Sequence, residues 1–241
     1  SSTTNQETPN IVELRDGRLV IIWTGVHEVT GKSTVFGQIF DVELQKNGSR
    51  FSIDPSGVFS KWDQIDPNLG ATEEGGFVVT WSNSTEVWLQ IFFSNGARCG
   101  EAIFVFEGED TPPKPQVVGL NSGDIVIVAT FGDDLQGKLF SNDGVEVIQT
   151  DFGINTVSPV DSQYLQVTSD GFLVIYAGWN NDTKLKDIYG QYFNVEGKTI
   201  GNEVIMHNAT KGNDSTTFIT VLEDQCFILA FDSISTASGS D

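Results

Sequence analysis

The sequence predicts an all-β chain, a β-propeller-like array of four-stranded antiparallel blades with about 4.5 repeats, so five blades with the last incomplete. Two observations predict it. A polar turn followed by an apolar run recurs five times, with Asp16-Gly17, Glu74-Gly75, Ser122-Gly123, Asp170-Gly171 and Asp224-Gln225 ahead of residues 19–23, 77–81, 125–129, 172–177 and 227–231. The turns lie 58, 48, 48 and 54 residues apart. A second landmark keeps step with the first: Gly37-Gln38-Ile39-Phe40, Leu89-Gln90-Ile91-Phe92, Gly137-Lys138-Leu139-Phe140 and Gly190-Gln191-Tyr192-Phe193.

Each element of the repeat has a local reason. The first strand starts seven residues ahead of the turn, at Pro9, Pro67, Pro115, Gln163 and Thr217. The second is apolar on both faces, as a strand between two other sheets must be. The third carries the Gln-x-Phe landmark, and a Gly-containing hairpin signal follows it at Asn47-Gly48, Asn95-Gly96, Asp143-Gly144 and Glu196-Gly197, leading into a fourth strand. One such sheet cannot bury both its faces alone, so neighbouring sheets stack. A β-sandwich would contain similar hairpins but does not require a 50-residue period.

These signals divide the chain into an N-terminal extension 1–9 without a strand pattern, a domain 10–233 and a tail 234–241. The repeats within the domain are 10–66, 67–114, 115–162, 163–216 and a half repeat 217–233. The half repeat has the first two strands of a blade and leaves an outward edge unpaired. An unpaired edge invites strand addition, so head-to-tail joining to residues 1–9 of another copy is the expected self-association.

Composition narrows the partners. With 33 acidic against 13 basic residues the formal charge is −20, which excludes a nucleic-acid backbone or an anionic membrane surface as the natural partner. No apolar stretch reaches the length of a membrane span. The polar Ser1-Ser2-Thr3-Thr4 start is no signal peptide, and the missing initiator Met suggests a processed chain or a piece of a longer one. Five Asn-x-Ser/Thr sequons, at Asn47, Asn83, Asn181, Asn208 and Asn213, fall in hairpins, loops and crossings and predict N-glycans on an extracellular protein. Cys99 and Cys226 fall in blades that are not neighbours, so they are expected as buried thiols or, alternatively, as a bridge between subunits.

The pattern Asp-Gly-x-Leu/Phe-Val-Ile-x-Trp, then Gly-Gln-Ile/Tyr-Phe, then a Gly hairpin, resembles the 50-residue tandem repeats of very large secreted and cell-surface proteins of bacteria and protists. That resemblance covers about residues 9–232 and implies propeller-like arrays in adhesins and extracellular matrix, with no active site to carry over. Ala129 and Ala177 depart from it where Trp23 and Trp81 stand, and Lys138 departs where the other repeats have Gln.

Little in the chain points to catalysis. His27 and His207 lie in different repeats with no zinc or triad spacing. The segment Trp62-Asp63-Gln64-Ile65-Asp66-Pro67-Asn68 faintly resembles the Asp-Pro-Asn element of propeller glycosidases, but Pro67-Asn68 occupies the same repeat slot as Pro9-Asn10 and Pro115-Gln116. The acidic loops Glu107-Gly108-Glu109-Asp110 and Gly132-Asp133-Asp134 offer oxygen ligands for Ca²⁺ without its specific spacing, so no cofactor is expected beyond that candidate. Trp23, Trp81 and Trp179 could stack on sugars or pack between blades. The sequence-based expectation is therefore a non-enzymatic, glycosylated structural subunit of an extracellular filament or surface assembly. The alternatives are a carbohydrate-binding lectin propeller and, behind it, a five-bladed glycosidase.

Overall fold

A computed structural model of the chain describes residues 6–53, 63–108, 112–144, 152–155, 158–209, 212–221 and 226–235. The described residues form four four-stranded sheets and one two-stranded sheet. Blade one is β1 (Gln6–Glu13), β2 (Leu19–Val26), β3 (Ser33–Phe40) and β4 (Lys46–Ser52). Blade two is β5 (Ile65–Ala71), β6 (Phe77–Asn83), β7 (Glu86–Phe92) and β8 (Arg98–Glu107). Blade three is β9 (Pro115–Gly119), β10 (Ile125–Phe131), β11 (Asp134–Phe140) and the two-residue β12 (Phe152–Gly153). Blade four is β13 (Val160–Thr168), β14 (Gly171–Asn180), β15 (Leu185–Asn194) and β16 (Thr199–His207). Blade five holds β17 (Gly212–Val221) and β18 (Phe227–Ser235). Strands pair in sequence order, all antiparallel, and the first strands β1, β5, β9, β13 and β17 are neighbours in succession. Four of these first strands converge on one cavity, which marks the axis of a propeller.

The core lies between blades. Every residue of β6 is buried, and so are the first eight of β14. Between blades one and two, Phe51 of β4 meets Phe77 and Phe92, whose rings stack with centroids 4.8 Å apart. Between blades three and four, Phe152 meets Phe172 and Phe193, stacked at 5.0 Å. Ile103 of β8 packs against the cluster between blades two and three, which contains Ile125 and Phe140. Each fully buried Phe contributes about 1.5–3 kcal/mol relative to exposure, so these contacts hold successive blades together. The third-strand glycine makes room for the same group, because a Cβ on Gly37 or Gly137 would lie 2.5 or 2.4 Å from the Phe51 or Phe152 ring. In the turn between β7 and β8, Gly96 packs against Ile39 of the preceding blade at φ +84°.

The landmark glutamine has a definite task. The ladder between third and fourth strands slips at Gln38, Gln90 and Gln191, freeing carbonyls of the fourth strand. Gln90 Nε2 donates to Ile91 O at 3.0 Å, Gly100 O at 3.2 Å and Cys99 O at 3.4 Å. Gln38 meets Ile39 O, Gly48 O and Asn47 O in the same way, and Gln191 meets Tyr192 O and Ile200 O. In blade three Lys138 stands in this position, its Nζ 5.2 Å from the Phe106 ring centroid. There the described pairing to the fourth strand is confined to Gln136↔Gly153 and Gly137↔Phe152.

Two expectations change. Residues 6–9 are not an extension, because β1 begins at Gln6 and pairs Gln6 with Gly25 and Glu7 with Thr24. Their own blade uses them, which removes the free strand on which head-to-tail joining rested; residues 1–5 lie outside the described residues. The first β3–β4 turn is not at Asn47-Gly48 either. It closes at residues 41–45, with Leu44 at φ 61°, and Asn47 sits in β4.

Replacing Gln90 with Ala leaves two fourth-strand carbonyls, Cys99 O and Gly100 O, and the third-strand carbonyl of Ile91 without this donor and is expected to cost about 1–3 kcal/mol. Reversible urea denaturation checks this, and a midpoint unchanged from the parent chain would remove the glutamine from the account of blade integrity.

Candidate functional site

The first strands are shaped alike at one end. Three carry a register slip near their start, at Glu7/Asn10, Ile65/Asn68 and Val160/Ser162, and β17 carries one mid-strand at Thr216/Phe218. In β1 and β5 the slip places Thr8 at φ 49° and Asp66 at φ 47°, a left-handed conformation costly for residues with a Cβ. Bulges re-aim side chains, and Thr8 and Asp66 are among the residues lining the mouth of the axial channel, with Lys114 and Tyr164; the Thr8 hydroxyl pairs with that of Thr24 at 2.7 Å.

The channel is a cavity of about 620 Å³ lined by β1, β5, β9 and β13. Repeat-equivalent polar residues line it: Asn10, Asn68, Gln116 and Tyr164. Asn68 Nδ2 donates to Gln116 Oε1 at 3.2 Å, and Asn68 Oδ1 accepts from Val117 N at 2.9 Å. Gln163 Nε2 donates to Lys114 O, tying blade four to blade three at the mouth. Burial pushes the Tyr164 phenol above its ordinary pKa, so it remains a hydrogen-bond donor at neutral pH. At the far end, Arg15 and Glu73 form an ion pair between blades one and two. The residues lining the mouth thus carry a carboxylate, an ammonium, a phenol and several amides. Such a set recognises a polyhydroxylated ligand, which both donates and accepts hydrogen bonds.

No family model matches the chain, and no curated protein matches it in sequence. Solved structures do share its fold. One is a candidate glycoside hydrolase from Parabacteroides distasonis, with TM-score 0.52 and 11% identity over 95% of this chain and 86% of that one. Another is a glycosyl hydrolase from Bacteroides ovatus, with TM-score 0.51 and 9% identity over 96% and 82%. A third is a protein of unknown function from Dyadobacter fermentans, with TM-score 0.52 and 14% identity over 87% and 66%. At these identities the likeness establishes the fold. It also corrects the expectation that the chain is not an enzyme: that expectation rested on the repeats having only a scaffolding use, and the same architecture is found in proteins described as glycoside hydrolases.

The structure separates the two carboxylates of the 62–68 segment. Asp63 is a latch on the outer side of the blade, where its Oδ1 accepts from Ser33 N at 2.8 Å and its Oδ2 lies 3.5 Å from Lys32 Nζ. Gln64 does the same work by accepting from Val35 N at 2.8 Å. Asp66 faces the mouth, and among the described residues it is the only carboxylate lining it. Trp62 lies outside the described residues. His27 caps a turn, its Nδ1 accepting from Val29 N and Thr30 N. His207 lies with Nδ1 2.7 Å from buried Asp214, its ring against Phe231. Trp81 is wholly buried between blades one and two and is unavailable to a sugar, while Trp23 and Trp179 are half-buried.

The other candidates disperse. Asn47, Asn181, Asn208 and Asn213 are exposed, but Asn83 is 3% exposed, so its sequon is closed by the fold. Asn213 also latches blade four, its Oδ1 accepting from Lys186 N at 3.1 Å. No disulfide joins Cys99, half-buried in β8, to Cys226, exposed ahead of β18 rather than buried. Glu109 and Asp110 of the first acidic loop lie outside the described residues, and Asp133 and Asp134 belong to no cluster of three or more metal-ligating side chains among the described residues. The channel mouth itself escaped sequence reading. Its trace was the recurrence of Asn10, Asn68 and Gln116 in one repeat slot, which signalled structure and did not show that the slot faces an axis.

Two measurements follow from this geometry. In protein made by a glycosylating secretory host, glycopeptide mapping is expected to place glycan on Asn181 and none on Asn83; an occupied Asn83 in the folded protein would contradict its burial. In an alkaline absorbance titration, Tyr164→Phe should remove a phenol that ionises above the usual value of ~10. Its ionisation opposes folding as pH rises past that value, and loss of an ordinary or early phenol would refute the assignment.

Proposed function

We propose that this chain is a carbohydrate-active propeller of the glycoside hydrolase kind, which holds a glycan at the mouth of the axial channel. The observation that carries the reading is the convergence of Asp66, Lys114, Tyr164 and the amides of Asn10, Asn68 and Gln116 on that mouth, with Asp66 held in a left-handed bulge. Sugar hydroxyls pair with the amides and the phenol, and Asp66 is the carboxylate available to act on a glycosidic oxygen or on water. The fold shared with glycoside hydrolases supports the reading. A second reading, glycan recognition without hydrolysis, is favoured by one observation. Glycosidases use two carboxylates about 5–9.5 Å apart, and the described residues bring one to the mouth.

A panel of oligosaccharides and aryl glycosides, assayed for both binding and turnover, tests both readings. Asp66→Asn should lower turnover by about 10²–10⁴-fold with binding largely kept, while Asp63→Asn should leave turnover intact, since Asp63 lies away from the channel. Binding without turnover that is lost in Tyr164→Phe selects the recognition reading. A panel with neither binding nor turnover refutes the mouth as a glycan site.

A further inference from the structure

Blade five repeats the inner half of a blade in full register. β17 pairs with β18 as first and second strands do elsewhere, with Phe227 in the position of Leu19, Phe77, Ile125 and Phe172. In every other blade that residue faces a third-strand phenylalanine, in the pairs Leu19↔Phe40, Phe77↔Phe92, Ile125↔Phe140 and Phe172↔Phe193. Among the described residues Phe227 has no such partner, and it is 37% exposed, with Ile228 52% exposed.

The face in front of β18 is open as well. In blade two the forward-facing positions of the fourth strand, Cys99 and Ile103, pack into the interface with blade three, and Gly144 of the next β11–β12 turn sits against Ile103. The same register places Ile200 and Val204 of β16 at these positions in blade four, Ile200 opposite Tyr192 and Val204 opposite Gly190. Both are 47% exposed, whereas Met206 beyond them packs, as Leu229 and Phe231 do, against the buried cluster of Leu173, Ile175 and Ile188. Among the described residues the inner half of this interface is therefore packed and the outer half is bare.

We infer that the edge of β18 and the Ile200–Val204 face form a docking site for a β-hairpin with the chemistry of the repeat's own third and fourth strands. Three successive interfaces in the molecule define that chemistry, and this site continues them. The occupant places a Phe opposite Phe227, a Gln opposite Leu229 and a Gly opposite Ala230, and its hairpin turn covers Ile200 and Val204. Main-chain hydrogen bonds along β18 supply the pairing, and the Phe and Gly positions supply selectivity, as in other strand additions.

Hydrogen exchange on the full chain tests this, with a synthetic peptide of residues 33–53 as the probe. Saturating peptide should slow exchange of the amides in Phe227–Ser235 by about tenfold or more. A peptide with its Phe40 equivalent changed to Ala, or the double variant Ile200→Ser/Val204→Ser of the chain, should lose most of that protection. Those two residues are already half exposed, so the variant keeps its fold. A free hairpin is only marginally structured, so the same sequence is also tethered by a flexible linker to the full chain, giving an effective concentration of about millimolar. Three results overturn the proposal: no added protection of β18 in the tethered chain, equal protection by a scrambled peptide, or protection that rises with protein concentration alone, which would mean pairing of two copies edge to edge.

Discussion

Blade-to-blade stacking is the constraint on which the rest of this structure depends. A four-stranded sheet with apolar residues on both faces cannot exist alone in water, and here blades one to four bury the faces they turn to one another. The recurring contact is one residue of a fourth strand, Phe51, Ile103 or Phe152, set against the pair that opens the next blade's second strand and closes its third. Several sequence features serve that contact. The third-strand Gly gives the aromatic ring its space, the hairpin Gly lets the next turn approach, and the glutamine secures the carbonyls that the slipped ladder exposes.

Departures from the repeat fall where this constraint is relaxed. Blade two has Leu89 in place of the third-strand glycine, and its fourth strand correspondingly presents Ile103 rather than Phe. Blade three has Lys138 for the glutamine, and the described part of its fourth strand is the shortest in the molecule. These paired changes follow volume and polarity. A smaller group above needs less room below, and a Lys cannot present a glutamine's amide to the same carbonyls.

The polar lining of the channel sits where stacking makes no demand. The first strands converge on the axis, so the residues that line the cavity there are free to be polar. The bulges that put Thr8 and Asp66 at the mouth cost backbone strain in an otherwise regular sheet, and strain of this kind collects at functional sites. Scaffold and chemistry are thus spatially separated: aromatic residues between the blades, amides and the Asp66 carboxylate along the axis.

The sequence by itself determined the four-strand repeat, its order and the half blade, though not the start of β1 or the first β3–β4 turn, because turn residues and strand-length apolar runs act within a few residues of one another. It determined the glutamine position without its purpose. What only the tertiary structure decided were the facts that join distant repeats. Asp63 and Asp66 are three residues apart, yet one latches a blade edge and the other faces the channel, since the bulge at Asp66 turns the chain. Asn83 and Asn181 carry equal sequons, but one is buried at the end of β6 and the other stands in solvent. Residues 6–9 lack an apolar pattern and still form a strand, because an innermost strand beside an open channel gains its place from ladder hydrogen bonds and not from burial. Burial, and with it accessibility, belongs to the packed assembly of blades, and no local stretch of residues contains it.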